Sequence, residues 1–190
     1  VVHEGQLLVR LDEAVARADF EAARQRYLGL RAVQGRLLAE QAGLNTVTFH
    51  PDLVKESADP LIRQQMLNQE QLFMTRRNLL RSDLQSFEES IQGQQGLLQA
   101  YAGMLDSRRS QLALINDELG SLRGLVKEGY APRNRQLEME RMVADANTSI
   151  ADLQGNTIRA QRAIGDLRQR VISRQQEYRK EVETQLADVS

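Results

Sequence analysis

Apolar residues recur at steps of three and four along three long stretches of this chain, and glycine and proline mark the segments between them. The steadiest run goes from Leu84 through Ile91, Leu98, Leu105, Leu112 and Leu119 to Val126 without a skip, and only Gln94 and Arg108 are not apolar. That spacing is a coiled-coil seam. It predicts a helix over 60–122, with Asp59 as cap and Pro60 at the first helical position. At ~1.5 Å per residue such a helix is roughly 90 Å long. A second seam, from Met139 through Val143, Ala146, Ile150 and Ile164 to Tyr178, predicts a helix over 134–190. The break at 123–133 holds Gly124, Gly129, Tyr130 and Pro132. Two long helices of similar length, each with one apolar stripe and a short break between, are expected to fold back as an antiparallel hairpin with 123–133 as its tip.

Upstream the pattern is shorter. Phe20, Ala23, Tyr27, Leu30, Leu37 and Leu44 predict a first helix over 13–42, capped by Asp12 and ended near Gly43. Residues 43–59, with Asn45 and Pro51, read as an extended linker. Fully extended, it spans at most roughly 55 to 60 Å. It is therefore long enough to run back along the first helix, which then packs on the lower hairpin. The competing layout places the first and second helices in tandem across a hinge. The opening "VVHEGQLLVRLD" alternates like a strand but has no partner strand elsewhere in the sequence. Because a lone strand cannot satisfy its own backbone groups, the chain is expected to be a piece of a longer protein, cut inside a β domain. The expected fold class is all-α: a long antiparallel coiled-coil hairpin with an extra shorter helix packed at its base, plus a terminal strand remnant.

Composition supports an elongated helical chain. Aromatic residues make up only 4%, with no Trp and no Cys, which is too few large side chains for a compact core at 190 residues. The 25 basic and 26 acidic residues are interspersed, so nothing points to a nucleic-acid partner. No stretch has the ~20 apolar residues of a membrane span.

Candidate chemistry is sparse. His3 and His50 lie far apart with no ligand spacing, and Glu88 with Glu89 or Glu138 with Glu140 diverge on a helix. No catalytic, cofactor-binding or metal-ligating residues are assigned. Gly93, Gly96, Gly103, Gly120, Gly155 and Gly165 fall inside helix, each costing about 1 kcal/mol against Ala. Either the long hairpin tolerates them or a neighbouring subunit approaches there. At the tip, Leu125, Val126, Tyr130 and Ala131 either close the coiled coil or form an apolar contact surface.

The sequence also resembles a known family. "EGQLLVRLD" at 4–12, "GRLLAE" at 35–40, "QEQLFMTRR" at 69–77 and "LVKEGYAPRNRQLEMER" at 125–141 are similar, in order, to the HlyD-like periplasmic adaptor (membrane fusion) subunits of type I secretion, above all the protease-secretion branch. The resemblance implies that 1–12 belong to a lipoyl-like domain split by the hairpin, in a protein anchored to the bacterial inner membrane and working in the periplasm. It implies a non-enzymatic subunit, forming a homo-oligomeric, six-fold ring, that links an inner-membrane ABC transporter to a TolC-like outer-membrane channel for one-step protein export. Related adaptors carry an Arg, a Leu four residues on and a Ser seven further at the tip. Here Ser121, Leu125 and Pro132 stand at those positions, and only Leu125 fits. The resemblance implies Leu125 and Tyr130 as apolar channel contacts and Arg133 as the polar one, with Arg123 able to supply the missing charge. A structural coiled coil that tethers other proteins is the alternative.

Overall fold

A computed structural model describes residues 13–189, and the expected strand at 1–12 lies outside them. Four helices follow in order: α1 (Glu13–Gln41), α2 (Pro51–Lys55), α3 (Pro60–Lys127) and α4 (Arg133–Val189). No strand occurs among the described residues. The described residues divide into one unit of residues 13–82 with 174–189 and another of Asp83–Ser173.

Asp83–Ser173 is a stretch of paired helices. Every seam position expected on its α3 side is buried or half-buried except Arg108, and every one on its α4 side is also covered. Ile115 and Leu119 of α3 meet Met139 of α4, with Leu122 and Val143 packed around them. The period of three and four puts these residues on facing stripes, as a two-helix coiled coil requires.

The other unit has a third layer. Leu28 and Ala32 of α1, Leu53 of α2 and Ile62 of α3 form one core with Phe49 and Met66 against it. Leu37, Leu53 and Ile62 reach 0% exposure and Val182 of α4 reaches 1%. Here α1 runs alongside the start of α3, since Gly29 faces Gln65, Arg36 Nε donates to Gln69 at 2.8 Å and Arg76 Nε lies 3.3 Å from Glu40. The chain after α1 returns along it. Thr48 and Phe49 come so close to Gly35 that a Cβ there would sit 3.1 Å from the Thr48 carbonyl, and farther back Tyr27 donates to Asp52 at 2.9 Å while Arg24 pairs with Glu56.

The structure departs from expectation in several places. The segment expected to be wholly extended contains α2, with Pro51 at its start and His50 Nδ1 accepting from the Asp52 amide at 3.3 Å. His50, which has no ligand spacing in the sequence, is thus an N-cap, and Leu53 draws the turn into the core. The second long helix was expected to stop at 122 but continues to Lys127, because Gly124 costs too little to end a well-packed helix.

The apolar stripe of α1 is also displaced. Phe20, Tyr27, Leu30 and Leu44 are exposed, and of the expected stripe only Leu37 is fully buried. The buried face instead runs through Leu28, Ala32, Gly35, Arg36 and Ala39. Helix and returning chain approach so closely at Gly35 that a larger side chain would not fit.

Buried charge binds the same layer. Glu40 accepts from Arg36 at 2.7 Å, and neither side chain is more than 5% exposed. Arg76 bridges Glu40 and Glu181 while its guanidinium lies 5.3 Å from the Tyr178 ring centre. Burial, and next the Glu40 carboxylate, push the Tyr178 phenol above its usual range. Burial opposes the charge of Arg76, yet the neighbouring glutamates hold its pKa above the ordinary value.

Candidate functional site

The turn between α3 and α4 closes on main-chain groups. Tyr130 N–H donates to the Leu125 carbonyl at 2.8 Å and Gly129 N–H to the Val126 carbonyl at 3.1 Å, the paired bonds of a Schellman motif. The motif needs one residue in the left-handed region, and Gly129 supplies it at φ +84. Pro132 then precedes Arg133, and its carbonyl accepts from Arg135 N–H at 3.1 Å to begin α4. The tip accordingly narrows from the expected 123–133 to the residues between Lys127 and Arg133.

The four residues singled out for the tip fall into two groups. Tyr130 is 80% exposed and Leu125 46%, so both apolar side chains stand open to solvent, whereas Val126 is half-covered by the seam. Arg123 is engaged within the chain, its guanidinium 2.9 Å from Glu140 across the hairpin. Gln136 donates to the same Glu140 oxygen at 3.0 Å. These contacts, Gln136 first and then Arg123, hold the Glu140 carboxyl below its usual range. A depressed carboxylate contributes stability above its unfolded pKa and loses it as pH falls through the folded value. Arg133, also exposed, makes no ion pair among the described residues.

Leu125, Tyr130 and Arg133 therefore form an open apolar and cationic end, while Arg123 fastens the two helices beneath it. No pattern in the sequence marks Arg123 as tied across the hairpin and Arg133 as open. The sequence sets Glu140 beside Glu138 on its own helix, whereas the fold sets it opposite Arg123.

Elsewhere the helical glycines are open. A Cβ added at Gly93, Gly96, Gly103, Gly120, Gly155 or Gly165 would meet nothing within 4 Å. No cluster of three metal-ligating side chains occurs among the described residues, and no helix there is long and apolar enough to cross a membrane.

Residues 16–190 match the family described as AprE, long alpha-helical hairpin. Over 187 residues the chain is 32% identical to the alkaline protease secretion protein AprE of Pseudomonas aeruginosa, covering 98% of this chain and 43% of that protein. It is 34% identical over 188 residues to the proteases secretion protein PrtE of Dickeya chrysanthemi, covering 99% of this chain and 42% of the relative. The chain thus spans less than half the length of these curated relatives. The crystal structure of the soluble domain of LipC, a membrane fusion protein of a type I secretion system, superposes with a TM-score of 0.89 at 32% identity, over 97% of this chain and 87% of LipC's.

Proposed function

Because the chain belongs to the AprE family of long α-helical hairpins, we propose that it is the hairpin region of a periplasmic adaptor for type I protein secretion. In this reading the adaptor is anchored to the inner membrane, forms a six-fold ring on an ABC transporter and reaches a TolC-like outer-membrane channel with its tip. It carries no catalysis of its own. Residues 1–12 then belong to the split lipoyl-like domain, and α1 is the third helix at the base of the hairpin.

The observation that carries the reading is the pairing of a solvent-open tip with a hairpin similar over nearly its whole length to LipC, a membrane fusion protein of such a system. Exposed Leu125 and Tyr130 supply apolar area, and exposed Arg133 supplies a cation for a carboxylate on the channel rim. Arg123, held by Glu140, acts as a brace rather than a contact.

Leu125→Asp tests the docking role. In cells carrying the full-length protein it is expected to abolish export of the secreted protein, with the far-ultraviolet circular dichroism of the hairpin unchanged. Loss of export together with loss of helix would make Leu125 a structural residue. Normal export would remove it from the interface and favour the tethering alternative.

A further inference from the structure

Where α1 ends, the chain turns away through Gly43 and leaves an open recess of about 390 Å³ between the last turn of α1 and helices α3 and α4. That volume lies within the range of small-molecule sites. Phe73 and Val182, both buried, form the apolar floor, and Leu80 and the exposed Leu44 flank it.

Charge around the recess is lopsided. Among the described residues, Glu40 is the only carboxylate lining it, and Arg36 and Arg76 already pair with that group. Arg77 donates only to the neutral carbonyl oxygens of Asn45, and Arg179 has no acidic partner among the described residues. Two guanidiniums thus stand at the rim of an apolar floor without counter-charge. A guanidinium fork matches a carboxylate or phosphate in shape as well as sign.

The main chain offers an incoming peptide little to bond. At this end of α1, Gly43 N–H already donates to the Glu40 carbonyl at 3.2 Å and Leu44 N–H to the Ala39 carbonyl at 2.9 Å. An extended segment would find no sheet edge there, and the Gly43 and Leu44 amides that line the recess are already engaged.

We infer that this recess binds a small anionic amphiphile, its carboxylate or phosphate head on Arg77 and Arg179 and its alkyl tail against Phe73, Leu80 and Val182. A cationic amphiphile would meet two like charges, and a small polar anion would leave the apolar floor wet.

The test is a titration of the full chain with decanoate, decyl phosphate and decyltrimethylammonium, each below its micellar concentration, following the Tyr178 ring by NMR. Both anions are expected to saturate and the cation not. Arg179→Gln and Arg77→Gln are each expected to weaken decanoate binding about tenfold, the usual effect of losing one charge-assisted hydrogen bond, with helicity unchanged. Binding to phosphatidylglycerol vesicles that decanoate competes away would identify a bilayer lipid as the source, and binding confined to decanoate a free acid. Equal binding of all three probes, unaffected by either substitution, would overturn the inference. So would binding of a leucine- and glutamate-rich peptide to a recess that decanoate does not enter.

Discussion

In the unit that contains α1, Leu37, Leu53 and Ile62 are at 0% exposure, whereas in Asp83–Ser173 the best-covered seam residues, Leu119 and Met139, remain at 3% and Ile115 at 9%. A third layer covers the flank that two helices alone leave open. The layered unit concentrates its stability in a few wholly buried positions and one buried ion cluster. The two-helix unit spreads burial thinly along a repeating seam, so no single seam residue dominates. Such a seam is held by periodicity, which is why its long run of half-buried positions suffices.

Replacing a wholly buried residue should sharpen this contrast most. Leu37→Ala is expected to lower the unfolding free energy by about 4 kcal/mol, and Ile115→Ala by about 2 kcal/mol, because the open seam relaxes around a smaller side chain. Urea unfolding followed by circular dichroism measures both. Equal losses would erase the difference between the two regions.

Glu40→Ala comes next. It leaves Arg36 in the buried layer with only the neutral partners Gln69 and Gln185 and Arg76 with Glu181 as its one carboxylate, for an expected loss of about 3 kcal/mol, moderated because Arg76 is partly in water. The double variant Glu40→Leu with Arg36→Met should recover much of that loss, and failure to recover would mean the pair does more than satisfy itself.

Smaller effects belong to the tip. Gly129→Ala forces a side chain into the left-handed region and should cost about 1 kcal/mol, read as a drop in melting temperature. Tyr130→Ala should leave stability within about 0.5 kcal/mol, as expected for a side chain standing in solvent. If it also lowers export in the full-length protein, the tip is a contact surface.

How much of this was legible in the sequence follows the same division. The seams from Leu84 to Val126 and from Met139 to Tyr178 were readable because a two-helix coiled coil has one buried stripe, and large apolar side chains mark it. The face of α1 was misread because its burial rests on Ala32, Gly35 and Ala39, residues that an apolar count ranks low and close packing ranks high. The helix at Pro51–Lys55 is too short to show a helical period, and only Leu53 of its two neighbouring apolar residues, Leu53 and Val54, is buried. At the tip, residue types suggested exposure, but the tie between Arg123 and Glu140 depends on the register between α3 and α4, which no local pattern encodes.

The Schellman closure between Lys127 and Arg133 draws on main-chain groups and one glycine. The side chains of Leu125, Tyr130 and Arg133 carry almost none of the folding burden. A lineage can therefore rewrite them one at a time to suit a changed counterpart while the helices behind stay the same, so this end of the molecule should diverge faster than its seam at no cost in stability.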